Sequence, residues 1–363
     1  MNAATVEEPQ QTLNAFLEAA LGTTPEGRDL ADVLLHVGDA VRAVSREVAR
    51  GALARSRPVA GAVNVQGETQ KPLDVLANDL FLRICADGEC VAGMASEEME
   101  DPVAVPCSGT RTKHLLVFDP LDGSSNIDIN VTVGSIFSVL RHDGAGEPQP
   151  EHYLQPGHRQ LAAGYALYGP STLLVLSVGD GTHGFSLDAD RGTFVLTHPA
   201  LRIAPEAREF AINMSNARFW EPPVQRYVAA CKAGVEGDIG RDYNMRWVAS
   251  MVAEVHRILL RGGVYLYPRD RKLPRKAGRL RLLYEANPMA MLVEQAGGRA
   301  STGRARLSDV VPDAIHQRIP VILGAREDVE RIERYHREFD EGSDKPFASP
   351  LFNEFSLFLP EAR

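Results

Sequence analysis

The chain of 363 residues has few cysteines, no long apolar run and no excess of positive charge, and each absence excludes a class of protein. Its four cysteines are too few and too scattered for a disulfide framework, which favours free thiols, although a pair between Cys85 and Cys90 is an alternative. No stretch approaches the ~18 consecutive apolar residues of a membrane helix. The first residues are acidic where a secretory signal is basic. We therefore expect a cytoplasmic protein with no membrane partner.

The charge balance argues against a nucleic-acid-binding protein. The 39 basic and 48 acidic side chains give a net charge of −9, so a bound anion must be held by local basic groups or by metal ions. The ten histidines show no metal-ligand spacing, which disfavours a purely nitrogen-bound zinc site. Hydrophobic residues at 44% and charged residues at 24% are typical of a globular protein, and the length favours two domains.

The hydrophobic patterns predict an α/β chain with a boundary near residue 200. We expect a flexible segment over 1–29, a first domain over 30–200, a second over 201–338, and a tail of unknown role over 339–363. Helices are predicted at 30–48, 73–84, 222–233, 244–260, 285–296 and 326–338. Strands are predicted at 91–96, 114–118, 133–140, 161–168, 172–178, 183–187, 193–197, 210–215, 263–267 and 320–324, and a loop at 55–70.

Two carboxylate pairs directly follow two of the predicted strands. Glu97-Glu98 follows VAGMAS, and Asp119-Pro120-Leu121-Asp122 follows HLLVF. Ligand sites of layered α/β folds gather at the carboxyl ends of strands, and paired carboxylates suit hard cations such as Mg²⁺. Either pair alone would be an ordinary polar turn, because Glu is commonly solvated and Asp, Pro and Gly form turns. Their occurrence after successive strands favours a metal site.

The residues after Asp122 suit a phosphate group. Gly123-Ser124-Ser125-Asn126 is small and polar, so its backbone can approach a ligand and its successive N–H groups can bind an anion. Metal-binding carboxylates followed by an anion cradle indicate hydrolysis of a phosphate monoester.

These motifs resemble those of class I fructose-1,6-bisphosphatases over about residues 30–338. The segment DPLDGSSNID (119–128) is similar to the metal-and-phosphate motif of that family, whose core also marks the wider lithium-sensitive phosphatase superfamily. Further similar segments follow in the family's order, among them NVQGETQKPLDVLAND (64–79), MRWVASMVAEVHR (245–257) and RLRLLYEANPMAMLVEQAGG (279–298). DGSSNID together with LRLLYEANPMA narrows the resemblance to bisphosphatases of fructose or sedoheptulose.

The resemblance implies a fold and an activity. The fold is a layered α-β-α-β-α sandwich of the sugar phosphatase type, usually in a homotetramer. The activity is hydrolysis of the 1-phosphate of fructose 1,6-bisphosphate by metal-activated water. The implied cofactor is Mg²⁺, two or more ions per subunit, with Mn²⁺ as an alternative.

The resemblance also assigns roles to individual residues. Asp74 and Glu98 match residues that orient and deprotonate the nucleophilic water. The matches to metal ligands are Glu97, Asp119, the carbonyl of Leu121, Asp122 and Glu285. The matches to substrate-binding residues are Asp122, Gly123, Ser124, Ser125, Asn213, Arg246, Tyr267, Arg279 and Arg281. Of these, Arg246 matches an arginine that reaches into a neighbouring subunit. The loop 55–70 matches a mobile catalytic loop.

Several of these residues have structural interpretations as well. Asp74 could be a solvated helix carboxylate, and Glu285 could complement a helix dipole. Arg279 and Arg281 are two apart, so in a strand they lie on one face, as an anion clamp or as a solvated edge. Tyr267 could be a core aromatic residue.

Departures from the family pattern bear on substrate and regulation. Position 279 is arginine where the family commonly has lysine, and Trp247 stands where tyrosine is common. EGRDLAD (26–32) does not match the AMP-binding segment of the family's AMP-inhibited members. Of the other residues in that allosteric site, only Lys113 and Arg141 are present here. We therefore expect weak or no inhibition by AMP. Residues 141–160 contain no cysteine, which disfavours thioredoxin-type control.

Two alternative functions stay open at this stage. A sedoheptulose-1,7-bisphosphatase, or an enzyme for both sugars, would use the same catalytic residues. A non-catalytic sugar-phosphate sensor is disfavoured because all six matching acidic residues are present, namely Asp74, Glu97, Glu98, Asp119, Asp122 and Glu285.

Overall fold

The computed structural model describes residues 11–51, 71–106, 113–144, 146–272 and 277–344. The expected catalytic loop 55–70 lies outside this part of the chain, as does most of the tail. The α-helices of the described residues are α1 (Leu13–Leu21), α2 (Pro25–Ala49), α3 (Pro72–Ala86), α4 (Pro150–Tyr153), α5 (Pro222–Ala233), α6 (Met251–Arg261), α7 (Asn287–Gln295) and α8 (Arg326–Asp340).

The strands form two main sheets and a short pair. They are β1 (Val91–Ser96), β2 (Val103–Ala104), β3 (His114–Asp122), β4 (Val133–Arg141), β5 (Ala162–Tyr168), β6 (Thr172–Ser177), β7 (His183–Asp188), β8 (Thr193–His198), β9 (Glu209–Ala211), β10 (Asn244–Met245), β11 (Val264–Tyr267), β12 (Leu280–Arg281), β13 (Arg299–Ser301), β14 (Arg318–Ile319) and β15 (Val321–Gly324). The first sheet has the order β2-β1-β3-β4-β5-β6-β7-β8, and the second has β10-β9-β11-β15-β13. Strands β12 and β14 form the separate pair.

Five layers follow from how the two sheets are covered. Helices α1, α2 and α3 pack on one face of the first sheet in a core that contains Leu17, Val37 and Phe118. Helices α6 and α7 lie between the sheets, and α5 and α8 cover the outer face of the second sheet. The expected α-β-α-β-α architecture is confirmed.

The central strands of the first sheet are buried on both faces, because the sheet has helices or strands on either side. Along β3, Leu116 and Phe118 face the outer helices, whereas Leu115 and Val117 join a separate cluster with Tyr284. Such strands read as continuous apolar runs, which is why HLLVF was recognisable as a strand. Strands β1 and β3 are parallel neighbours, so their carboxyl ends lie at the same edge.

The expectation of a flexible segment over 1–29 is wrong for residues 13–21 and 25–29, which are helical. Thr12 caps α1 by accepting a hydrogen bond from the amide of Ala15 over 3.3 Å, and Thr24 caps α2 ahead of Pro25. The glycines and prolines that suggested a loop lie at or near the junction of two helices rather than in one long irregular segment.

Two further element boundaries differ from the prediction. The helix predicted over 244–260 begins at Met251, because 244–245 pairs with β9 and Ser250 caps the helix. Arg246 is therefore not helical. The strand predicted over 210–215 ends at Ala211, since Asn213 caps a 3₁₀-helix over Met214–Phe219.

The expectations of free thiols and of no membrane helix can be compared with the described residues. Cys85 and Cys231 are buried free thiols there, so the alternative of a Cys85–Cys90 pair is wrong. Among the helices of the same residues, none combines the length and the apolar character needed to cross a bilayer.

Helix α1 should contribute to stability through its buried face. Leu17 is fully buried against the helical layer, whereas Glu18 beside it is exposed. We expect Leu17→Ala to lower the free energy of unfolding by about 2–5 kcal/mol, because a buried leucine loses its contacts and leaves a cavity. Denaturant unfolding measures this, with Glu18→Ala as the control, expected to change by less than about 0.5 kcal/mol. Equal effects of the two variants would show that α1 does not dock.

Candidate active site

Three buried carboxylates converge at the edge where β3 ends. One oxygen from each of Asp119, Asp122 and Glu285 lies within 4.8 Å of the others. Asp119 and Asp122 belong to the end of β3, and Glu285 comes from a π-helix over Leu282–Ala286 that leads into α7. The strand in which Arg279 and Arg281 were considered covers only Leu280–Arg281, and the π-helix that follows carries Glu285 inward.

An arginine lies against this cluster. Arg281 forms an ion pair with Glu97, which directly follows β1, and its other guanidinium nitrogen lies 4.0 Å from Glu285. The backbone N–H of Arg281 donates to Glu285 over 2.5 Å. Arg281, Glu97 and Glu285 are all buried. The arginine therefore supplies positive charge to a group of acids that would otherwise be strongly uncompensated.

Burial raises the pKa values of the clustered acids. The pKa of Asp119 is raised first by burial and then by the charges of Glu97, Asp122 and Glu285. Burial raises the pKa of Glu285 to about 7, although Arg281 opposes the shift. The pKa of Asp122 is also raised by burial, against hydrogen bonds that lower it. Without a counter-ion, the site therefore favours protonated carboxyls.

Asp74 lies in the first turn of α3, close to Glu98 and Ser124. One of its oxygens accepts the backbone N–H of Lys71 over 2.8 Å, and the other is buried without a hydrogen-bond partner. Burial raises the pKa of Asp74 to about 7, and the charge of Glu98 adds to the shift. Glu98 is half-buried. Asp74 is thus a buried acid beside the site rather than the solvated helix carboxylate that its sequence position allowed.

The segment after Asp122 turns sharply at Gly123. This residue has φ +75°, and a side chain there would place a Cβ 2.9 Å from the Cβ of Ser250. The turn opens a 3₁₀-helix over Ser124–Ile129, with Ser124 half-buried and Ser125 exposed. The first amides of such a helix have no partner within it and point out of its end.

Helix α6 meets Asp122 with its amino terminus. The hydroxyl of Ser250 and the backbone N–H of Val252 both donate to Oδ2 of Asp122, over 2.8 Å and 3.0 Å. The positive end of the helix dipole also favours a negative group at this place. Asp122 is therefore fixed by α6 as well as by its own strand.

Three of the residues expected to bind the sugar and its second phosphate, Asn213, Arg246 and Tyr267, lie on the second sheet or within two residues of its strands. Tyr267 ends β11, and its ring lies 5.9 Å from that of Trp247, which stacks on Tyr265 at 6.2 Å. Arg246 is exposed beyond β10. The side chain of Asn213 accepts from both the amide and the hydroxyl of Ser215, at 3.1 Å and 2.6 Å.

The two arginines at 279 and 281 have different partners. Arg279 pairs with Asp270 at 3.0 Å, whereas Arg281 pairs with Glu97. The strand covers 280–281 alone, so the prediction that both side chains share one strand face has no structural basis at Arg279.

Sequence reasoning missed the residues that support this site. Ser250 had a detectable signal, because a serine before the apolar run MVAEV is typical of a helix start. The pairing of Arg281 with Glu97 had none, because it joins segments far apart in the chain, and no local pattern identified Asp270 as the partner of Arg279.

The donor set fits a divalent metal ion. Three converging carboxylates offer oxygen ligands, which Mg²⁺ and Mn²⁺ prefer, and no histidine or cysteine is part of the cluster. Their raised pKa values show that positive charge is needed to keep them all ionised, and a divalent ion supplies it.

Comparisons with known proteins agree on one family. The family model described as "Fructose-1-6-bisphosphatase, N-terminal domain" matches residues 11–199, and the model for the C-terminal domain matches residues 203–337. A fructose-1,6-bisphosphatase class 1 of Methylacidiphilum infernorum (isolate V4) is 57% identical over 350 residues, covering 96% of this chain and 98% of the relative. One of Hydrogenophilus thermoluteolus is 58% identical over 335 residues, 92% of each chain.

A solved structure is similar as well. The crystal structure of Leishmania major fructose-1,6-bisphosphatase in holo form matches with a TM-score of 0.83 and 36% identity. The match covers 91% of this chain and 100% of that one.

The acid cluster should make metal-dependent stability vary with pH. Because the pKa values of Asp74 and Glu285 are raised to about 7, their stabilising protonation is lost as pH rises through about 7. We expect the melting temperature of the metal-free protein to fall as pH rises from 5.5 to 8. Added Mg²⁺ should raise the melting temperature more at pH 8 than at pH 5.5, because protons no longer compete with the ion for the carboxylates.

Thermal unfolding in chelator and in Mg²⁺ at the two pH values measures this dependence. Glu285→Gln should weaken it, whereas Glu333→Gln, which removes a distant partner of Arg299, should leave it unchanged. The same gain from Mg²⁺ at both pH values would contradict the expectation.

Proposed function

The chain belongs to the class 1 fructose-1,6-bisphosphatase family, and on that premise we propose that it hydrolyses the 1-phosphate of fructose 1,6-bisphosphate. The products are fructose 6-phosphate and inorganic phosphate. The observation that carries the proposal is the buried convergence of Asp119, Asp122 and Glu285 directly beside the turn at Gly123. This arrangement joins a cation site to an anion cradle, as hydrolysis of a phosphate monoester requires.

Membership of this family implies dependence on a divalent metal. We propose Mg²⁺ as the ion, two or more per subunit, with Mn²⁺ as the alternative. The proposed ligands are Glu97, Asp119, the carbonyl of Leu121, Asp122 and Glu285. When bound, the ions lower the pKa of water and neutralise phosphoryl oxygens.

Asp74 and Glu98 are the proposed acceptors of the proton from water. Their proximity is supported by the contribution of Glu98 to the raised pKa of Asp74. A pKa of about 7 suits a group that takes up and releases a proton near neutral pH. The free buried oxygen of Asp74 offers the position for that proton.

The remaining proposed contacts hold the substrate. The amides of Gly123, Ser124 and Ser125 bind the oxygens of the reacting phosphate. The sugar and its distal phosphate are bound by Asn213, Tyr267, Arg279 and Arg281, and Arg246 enters the corresponding pocket of a neighbouring subunit. Arg279 is already neutralised by Asp270, so its phosphate contact is expected to be weaker than that of an unpaired arginine.

Assembly and location belong to the same proposal. We propose a cytoplasmic homotetramer in which Arg246 approaches a neighbouring subunit, a role for which its exposure is suitable. Gluconeogenesis and the Calvin cycle both require this reaction. Activity toward sedoheptulose 1,7-bisphosphate would favour the Calvin cycle. That substrate has one extra sugar carbon, so its acceptance depends on the shape of the pocket.

The decisive experiment measures phosphate release from fructose 1,6-bisphosphate and sedoheptulose 1,7-bisphosphate side by side, with Mg²⁺ and with chelator. We expect turnover of the fructose substrate that the chelator abolishes. Comparable kcat/KM for both substrates would make the protein a dual bisphosphatase. Absence of turnover with either would refute the proposed function and favour the sugar-phosphate sensor.

Replacing Asp122 by asparagine tests the proposed metal ligand. Asparagine keeps an oxygen that can accept from Ser250 and Val252, so the fold should be retained. It removes a charge from the cation site, and we expect kcat to fall at least about 100-fold, equal to about 2.7 kcal/mol. Circular dichroism checks the fold. Near-wild-type turnover at saturating Mg²⁺ would rule out the ligand role.

Inhibition by AMP should be weak or absent. In the structure, Lys113 donates to the carbonyl of Glu89 over 2.7 Å, and His114 is buried within β3 rather than available for a ligand. Titration of the activity with AMP measures this, with sodium chloride at equal ionic strength as the control. Strong inhibition at micromolar AMP would contradict it.

A further inference from the structure

A single turn before α6 connects the two halves of the site. At its start, the backbone N–H of Arg246 donates to the carbonyl of Phe210 over 2.9 Å, and the ring of Trp247 stacks on Tyr265. At its end, Ser250 donates to the proposed metal ligand Asp122. The ring of Trp247 also lies 5.9 Å from that of Tyr267, a proposed sugar-phosphate residue, so the turn over residues 246–250 joins that part of the site to the cation site.

The middle of the turn is held from two sides. The carbonyl of Val248 accepts a hydrogen bond from Nδ2 of Asn126, which belongs to the 3₁₀-helix of the phosphate cradle, over 3.1 Å. The backbone N–H of Val248 donates to Oε1 of Glu254 in α6 over 2.5 Å. Val248 is therefore fixed between the cradle and α6.

Glu254 is a fully buried carboxylate whose second oxygen is also bound. Oε2 accepts from Arg257 over 2.8 Å, and Arg257 also pairs with Glu209 at the start of β9. Nε of Arg246 lies 4.0 Å from Glu209. A buried charge held by an ion pair and a backbone donor has one defined position.

The turn also contains backbone strain. Ala249 has φ +60°, one of three non-glycine residues with positive φ in the described chain. This conformation is unfavourable for a residue with a Cβ, so the surrounding contacts must maintain it. The adjacent contacts are the hydrogen bond from Val248 to Glu254 on one side and that from Ser250 to Asp122 on the other.

We propose that Glu254 is a positioning residue that sets the turn over 246–250 and thereby aligns the distal-phosphate residues with the cation site. The inference rests on the proposed function. On this inference, the buried network of Glu254, Arg257 and Glu209 contributes to substrate discrimination as well as to stability. Loss of the Glu254 carboxylate allows the backbone of Ala249 to leave its positive φ. Trp247 then moves away from Tyr265, and Ser250 moves away from Asp122.

The test compares fructose 1,6-bisphosphate with fructose 1-phosphate, which lacks the distal phosphate. The measured quantity is the ratio of kcat/KM for the two substrates, because partial unfolding lowers both values equally and leaves their ratio unchanged. In Glu254→Ala we expect the ratio to fall about 10-fold, equal to about 1.4 kcal/mol of lost discrimination. The Mg²⁺ concentration for half-maximal activity should rise, since Ser250 no longer fixes Asp122.

Two further variants separate positioning from structural support. Glu254→Gln keeps an oxygen for the N–H of Val248 but loses the charge toward Arg257, so it should restore part of the ratio. Adding Ala249→Gly to Glu254→Ala should also restore part of it, because glycine adopts φ +60° without strain. Glu333→Gln, which loses a distant ion pair with Arg299, is the control and should leave the ratio unchanged.

The outcomes distinguish this inference from the proposed function. An active wild type whose ratio stays constant in Glu254→Ala would overturn the positioning role and leave the bisphosphatase function intact. A wild type inactive on both substrates would refute the proposed function, and this inference with it. A reduced ratio that the glutamine and glycine variants partly restore would establish the role.

Discussion

The burial of several carboxylates at one sheet edge is the constraint on which the rest of the site depends. Asp119, Asp122 and Glu285 cannot all be ionised in a buried position without positive charge nearby. The fold supplies part of it through Arg281 and through the amino terminus of α6. A divalent ion would supply the rest, which explains why membership of a metal-dependent family and the electrostatics of the cluster agree.

The layers of the fold serve to bring these acids together. Strands β1 and β3 run parallel, so Glu97 and Asp119 reach the same edge of the first sheet. Helices α6 and α7 lie between the sheets, and both approach this edge with their amino-terminal ends. Ser250 lies at the start of α6, and the π-helix that carries Glu285 leads into α7. Packing on both faces of the first sheet keeps this edge in place.

The turn over 246–250 shows how two distant parts of a site can be coupled by short-range contacts. Its strained residue Ala249 lies between a residue bound to the second sheet and a residue bound to Asp122. Strain at such a position persists where surrounding bonds determine the conformation, and here a buried glutamate and an asparagine of the phosphate cradle provide them. On our proposal, one segment therefore sets the positions of both the sugar-phosphate residues and the metal ligand Asp122.

Local pattern was sufficient for the elements with strong periodicity or a defined motif. The apolar run of β3, the helix α3 and the motif DPLDGSSNID could be recognised from adjacent residues, and with them the family and its carboxylates. The helix α1, the start of α6 and the short β12 were misjudged. The pairing of residues 244–245 with β9 and of β12 with β14 decided two of them, and the cap at Thr12 begins α1.

What the sequence determined by itself was the set of acidic residues, their place after successive strands, and the chemistry that such residues support. Tertiary structure alone decided that Arg281 lies against Glu97, that Ser250 donates to Asp122, and that Asn126 donates to the carbonyl of Val248. The physical reason is one of range. Capping, alternation and turn formation act between neighbours in the chain, whereas ion pairs and burial depend on segments that only the packing of the layers brings together.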